Sequence, residues 1–152
     1  MPRLEIYTDG AAKGNPGNGG YGIVLKFGDK LKKLNQGFRK TTNNRMELLA
    51  VIVALENVKS SKYPIHVYSD SKYVVDAIEK KWLDSWIKKN FKGRANIDLW
   101  KRYIEASKDY SIKFHWVKGH DGHYYNEICD QLAVQAAESR DLLIDRGYEN
   151  EN

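Results

Sequence analysis

The chain opens with a strict alternation. Leu4-Glu5-Ile6-Tyr7-Thr8-Asp9 puts apolar and polar residues on opposite sides with period two and stops at Gly10, which predicts a half-buried strand. Gly14-Asn15-Pro16-Gly17-Asn18-Gly19-Gly20 is dense in turn formers and predicts a turn segment. Tyr21–Phe27 and Leu31–Phe38 predict a second and third strand joined at Gly28-Asp29. Thr41-Thr42-Asn43-Asn44 then looks like a helix cap, and Met46, Leu49, Ala50, Val53 and Ala54 recur at helical spacing. Pro64 introduces a fourth strand, Ile65–Tyr68, ending at Ser69-Asp70-Ser71. Beyond it the pattern predicts a short helix over Val74–Ile78 and a basic, aromatic insertion over Lys80–Arg94. A helix over Ile97–Ala106, a fifth strand over Ile112–Val117, a loop over Gly119–Gly122 and an Ala-rich helix over Asn126–Ser139 follow. Tyr148–Asn152 is polar and reads as a frayed end.

The first three strands can form an antiparallel meander. The last two must be reached through helical crossovers, which favours parallel pairing. The expectation is therefore an α/β fold, a mixed sheet with helices on its faces. Neither a repeat nor a linker divides it, so residues 1–145 read as one domain with a polar tail over 146–152.

Composition narrows the class. In 152 residues, 41% are hydrophobic and 30% charged, enough apolar surface for a real core without staples. No apolar run reaches the length of a membrane span, and none at the start has signal-peptide length. Cys129 is the only cysteine, so no internal disulfide can form, and a reducing cytoplasmic home is expected. The net charge of +5 is only weakly indicative of a polyanionic partner, and from charge alone simple solubility is the better reading.

Candidate chemistry lies in the acids. Two strands end in an acid followed by a small residue, Asp9-Gly10 and Asp70-Ser71. In open α/β sheets, functional groups gather just beyond the carboxyl ends of neighbouring strands. Glu47 and Asp130 lie in the first turns of their helices, where the helix dipole softens the cost of an acid. Crowded carboxylates need a cation, and hard oxygen donors suit Mg²⁺ or Mn²⁺. Two such ions can clamp the attacking and leaving oxygens of a phosphodiester. Taken singly, each acid reads better as a turn former or cap than as a catalytic group, and the local sequences around the four decide.

The local sequences around these acids resemble type 1 ribonuclease H. The matching stretches are Tyr7-Thr8-Asp9-Gly10 with Gly14-Asn15-Pro16-Gly17, Thr41–Leu48, Ser69-Asp70-Ser71, Trp116-Val117-Lys118-Gly119-His120 and Asn126–Asp130, in that order and across nearly the whole chain. The resemblance implies a five-stranded mixed sheet in order 3-2-1-4-5. It implies hydrolysis of the RNA strand of RNA–DNA hybrids by two Mg²⁺ ions, with 5′-phosphate and 3′-hydroxyl ends, in a monomer. Asp9, Glu47, Asp70 and Asp130 match the family's metal-binding acids, with the Gly10 carbonyl beside them, and His120 matches its loop histidine. Asn15, Asn43 and Asn44 match contacts to the RNA strand, where an amide can sense the 2′-hydroxyl, though each also suits a turn or cap. Lys40, Thr42 and Asn96 match a pocket for a DNA-strand phosphate.

Trp82, Trp86, Lys88, Lys89 and Lys92 resemble the family's basic handle over about 80–95, with at least part of each tryptophan expected to pack. Three features depart from the family pattern. The stretch Phe91–Leu99 looks short, Lys72 stands where an amide is common in the minor-groove contact, and Asp121 follows His120. His66 and His123 read as structural or solvated, and no separate hybrid-binding domain is expected before Arg3. The competing readings are another metal-dependent nuclease or strand-transfer enzyme of related fold, a non-catalytic hybrid-binding module, and a generic basic α/β domain. The joint presence of the Thr42–Glu47 and Val117–His120 segments and of all four acids weighs against them.

Overall fold

A computed structural model describes residues 3–118 and 123–150. Three long strands, β1 (Leu4–Gly14), β2 (Gly17–Phe27) and β3 (Lys30–Thr41), form the expected antiparallel meander. Helix α1 (Asn43–Glu56) leads to β4 (Ile65–Ser69), which pairs parallel with β1. Helices α2 (Lys72–Glu79), α3 (Trp82–Lys88) and α4 (Ile97–Ser107) precede β5 (Ile112–Trp116), parallel to β4. Helix α5 (Tyr124–Glu138) is followed by a two-residue strand, β6 (Leu142–Leu143), and a short helix, α6 (Arg146–Glu149).

The sheet has six strands in the order β5-β4-β1-β2-β3-β6, which corrects the expected five. The extra strand pairs parallel with β3 at Gly37 and Phe38. Two residues are too few to carry an alternation, so nothing in the sequence marked it. The predicted polar tail is in part α6, capped by Asp145 and tied to β3 by a paired Arg39–Glu149 ion pair.

The Gly-rich segment is also less of a turn than expected. β1 runs to Gly14 and β2 starts at Gly17, leaving only Asn15 and Pro16 to reverse the chain. Gly14, with φ +83°, and Gly17 belong to that reversal, whereas Gly20 serves packing, a Cβ there meeting the Ala133 carbonyl oxygen at 2.8 Å, and two glycines beyond the segment do the same. A Cβ at Gly22 would lie 2.1 Å from the Cys129 carbonyl oxygen, and one at Gly37 would lie 2.0 Å from that of Ala136. Their absence lets the small-residue face of α5 (Cys129, Ala133, Ala136, Ala137) lie directly on the meander.

On the opposite face α1 is buried almost all round, as expected of a helix apolar on every side. It lies between the sheet and α4, and the main core of Ile6, Ile23, Leu48, Ile52, Val67 and Trp100 closes around it. This fixes α1 against β1, and with it every group that α1 carries toward the sheet end.

Candidate active site

The last register pair between β1 and β4 is Tyr7 with Tyr68. Asp9 stands two residues further along β1 and Asp70 one residue past the end of β4, so the two acids meet where the pairing ends. Gly10 brings in the third acid. A Cβ there would sit 2.4 Å from the Glu47 backbone nitrogen, so only glycine lets α1 come close enough to aim Glu47 at Asp9. One oxygen from each of Asp9, Glu47 and Asp70 lies within 4.8 Å of the others.

Asp9 and Glu47 are buried and Asp70 half-buried. The Gly10 amide donates to Asp9 Oδ1 at 2.9 Å. Glu47 Oε1 and Asp70 Oδ1 are buried without a hydrogen-bond partner among the described residues. Burial, the Asp70 charge and that of Asp130 push the Asp9 carboxyl up to about 8, and the Gly10 hydrogen bond only partly opposes them. Glu47 is raised well above its usual range by burial and by Asp9 and Asp70. Such crowding is costly unless a cation shares it. Three hard oxygen donors, two with idle lone pairs, fit a divalent metal ion. These carboxylates could hold one.

Asp130 is half-buried on α5 and lies outside that close triad, yet near enough for its charge to act on Asp9. The helix is held there by two bonds to the strands that carry the other acids. Asn126 Nδ2 donates to the Tyr68 carbonyl at 3.2 Å, and Cys129 Sγ to that of Tyr7 at 3.2 Å. His120, with Asp121, lies outside the described residues.

Around the acids the other sequence-predicted residues fall into two groups. Asn15, Asn43 and Asn44 are exposed at the β1–β2 turn and the start of α1, and Asn15 Oδ1 accepts from the Asn43 amide at 3.1 Å. The α1 cap is Thr42, whose hydroxyl accepts from the Arg45 amide at 3.3 Å, so neither Asn43 nor Asn44 caps. Lys40 is exposed at the end of β3, and Asn96 sits at the head of α4. Lys72 is exposed, with its ammonium 4.5 Å from the Trp116 ring centre, and Trp116 Nε1 donates to the Asp70 carbonyl at 3.2 Å.

The second group is the basic segment. Trp86 packs edge-on against Trp100, and the Arg94 guanidinium lies 4.9 Å above its ring. Trp82 stays exposed beside Lys80, and Lys88, Lys89 and Lys92 are exposed as well. A cavity of about 380 Å³ opens between Trp82, Ser85, Trp86 and Arg94.

Sequence reasoning missed Arg45, which is 1% exposed and hydrogen-bonded to Asp98 and Asp145. One signal was available: Arg45 stands three and four residues before Leu48 and Leu49, on the buried side of the helix. Trp116 was noted only as part of a motif, and its bond to the Asp70 backbone was not foreseen.

The family model for RNase H matches residues 1–138. The chain belongs to the RNase H family. The ribonuclease H of Desulforamulus reducens is 49% identical over 150 residues, which span 95% of this chain and 94% of that one. That of Pseudoalteromonas translucida is 50% identical over 151 residues, spanning 96% and 97%. Ribonuclease H activity follows from membership at this identity. Among solved structures, LC9-RNase H1, a type 1 RNase H, aligns with a TM-score of 0.79 at 28% identity, covering 99% of this chain and 81% of that one. LC11-RNase H1, solved in complex with an RNA/DNA hybrid, aligns at 0.69 and 24% identity, covering 89% and 96%, and supports the RNase H fold.

Proposed function

We propose that this chain hydrolyses the RNA strand of RNA–DNA hybrids with two Mg²⁺ ions, leaving 5′-phosphate and 3′-hydroxyl ends. The observation that carries the reading is the crowding of Asp9, Glu47 and Asp70 within 4.8 Å, with two buried oxygens idle. Asp130 and the Gly10 carbonyl complete the oxygen donors, and Mn²⁺ can substitute. When bound, the ions supply charge that offsets the carboxylates and polarises water and the scissile phosphodiester.

The protein's own part is positioning. β1, β4, α1 and α5 each hold one acid, so the cluster cannot spread to relieve its repulsion. His120 moves a proton at the leaving 3′ oxygen or aids product release. Asn15 keeps its amide NH₂ free while its oxygen accepts from Asn43, so Asn15, Asn43 and Asn44 can reach the 2′-hydroxyls near the cut. Lys72 takes the minor groove beside Asp70. Lys40, Thr42 and Asn96 grip a phosphate of the DNA strand, and Trp82, Trp86, Lys88, Lys89 and Lys92 hold the hybrid backbone further along. The hybrid in the LC11-RNase H1 complex supports the substrate class. The chain would act as a single-domain monomer in the cytoplasm, where its one thiol, Cys129, is buried and free.

The test is cleavage of matched RNA–DNA, RNA–RNA and DNA–DNA duplexes with Mg²⁺ and with a chelator. Cutting confined to the hybrid and to Mg²⁺ is expected, with Asp70→Asn still binding hybrid but cutting almost none. Metal-independent cutting, or equal cutting of RNA–RNA, would overturn the reading.

A further inference from the structure

Arg45 stands two residues before Glu47 and uses every guanidinium donor. Nε and Nη2 donate to Asp145 at 2.8 and 2.9 Å, Nη1 and Nη2 to Asp98 at 2.9 and 2.7 Å, and Nη1 to Asn96 Oδ1 at 3.4 Å. Asp145 also accepts from the Thr41 hydroxyl at 2.6 Å. Three separate parts of the chain therefore meet on one side chain: the start of α1, the start of α4 and the segment between β6 and α6. Helix α6, directly after the last of these, closes over the cluster, since a Cβ at Gly147 would lie 1.9 Å from Asp98 Oδ2 and 2.7 Å from Arg45 Nη2.

Two carboxylates on one buried guanidinium are a poor device for stability alone. Packed apolar residues often do as well or better, whereas fixed geometry is what such clusters can add. Here the geometry concerns Thr42 and Asn96. The Thr42 hydroxyl accepts from the Arg45 amide and keeps its own proton to donate. The Asn96 oxygen is taken by Arg45 and one amide proton by the Tyr73 hydroxyl, at 3.0 Å, leaving one N–H. Each residue thus retains a single donor that no described residue takes, and Arg45 sets one relative to the other.

We propose that Arg45 and Asp145 are positioning residues for hybrid binding, holding Thr42 and Asn96 as a matched pair of donors for one phosphate. The C-terminal segment 142–149 is then a working part of the substrate site rather than an appendage. The inference rests on the reading of Lys40, Thr42 and Asn96 as a phosphate pocket.

A walk of single neutral methylphosphonates along the DNA strand of a fixed hybrid separates the two. For the unaltered chain, one position is expected to raise KM about tenfold, the effect of one lost phosphate contact, with kcat little changed. In Asp145→Asn, KM for the all-phosphate hybrid rises by a similar factor and that position loses its effect, because the two perturbations remove the same contact. If no position matters in the unaltered chain, the pocket reading fails. If one does and Asp145→Asn keeps its full effect, the positioning role fails. A variant weakened only in its fold would lower the melting temperature and keep the position-specific response. Should Asp145→Asn not fold, Thr41→Val removes one bond to the same carboxylate, spares the ion pairs, and is read in the same way.

Discussion

At Asp70, one carboxylate oxygen lies buried with no donor among the described residues, while its charge raises both Asp9 and Glu47. Without metal, that charge opposes folding. The sign follows from Asp9, held near 8 against an ordinary value near 4: the fold favours the protonated acid, so the penalty appears as pH rises from about 4 to about 8. Asp70→Asn removes one member of the cluster at almost unchanged volume. In chelator at pH 8 it is expected to be more stable than the parent by on the order of 1 kcal/mol, about 3 °C for a domain of this size. At pH 4, where Asp9 and Glu47 are protonated, the difference should shrink. Thermal melts at both pH values check this. Equal melting at pH 8 would mean that the acids do not strain the metal-free fold. The same substitution that removes cleavage should thus strengthen the apo protein, the trade expected of an ion-binding site.

Among the elements, the packing of α5 on the meander governs where Asp130 stands, and it depends on backbone contact at Gly22. Gly22→Ala would drive a methyl into the Cys129 carbonyl, which no side-chain rotation can relieve. A loss of about 2–3 kcal/mol is expected, measured as a lower urea midpoint at constant m-value. Hybrid cleavage should fall as well, since Asp130 is one residue from the displaced carbonyl. An unchanged midpoint would show that α5 can shift freely. This contact also explains what the sequence could and could not reveal. Period-two and helical patterns gave the meander, α1 and the parallel crossovers, because the apolar residues of those elements recur at strand or helix spacing. The run Gly14–Gly20 looked like a turn because glycine marks turns and close packing alike, and only the position of α5 distinguishes them. The strand-end acids Asp9 and Asp70 were legible from their place after an apolar run. Arg45, Asp98 and Asp145 were not: charged residues read as solvated, and their burial follows from a meeting of residues up to 100 positions apart.

Across the whole molecule, two titrating groups sit on the same half of the sheet and act in opposite directions. His66 Nδ1 and His115 Nε2 lie 2.8 Å apart on β4 and β5, in a stack that continues through Tyr68 and Tyr7 toward Asp9 and Asp70. Burial and the charges of Arg3 and Lys113 hold both imidazoles below their usual range, with Glu5 and Glu79 opposing weakly. A base with a lowered folded pKa stabilises above its unfolded value near 6.5 and loses that contribution as pH falls below it. The acid cluster does the reverse, costing stability as pH rises toward 8. Asp98 also favours the charged form, because its bonds from Arg45 outweigh its partial burial, but its loss comes only below about 4. In the metal-free protein the histidines and the acid cluster therefore oppose each other below about pH 6.5, the acid limb, and above it the cluster alone lowers stability up to about pH 8, the alkaline limb. Saturating Mg²⁺ should lift the alkaline limb, by about 2.7 kcal/mol at a hundredfold excess over the dissociation constant, and leave the acid limb in place. His115→Gln should flatten the acid limb between pH 6.5 and 5 without altering the response to Mg²⁺. Urea titrations across pH with Mg²⁺ and with chelator test both limbs separately. A cation that raised both limbs equally would place its binding away from the raised carboxylates, and the assignment of Asp9, Glu47 and Asp70 as its ligands would fail.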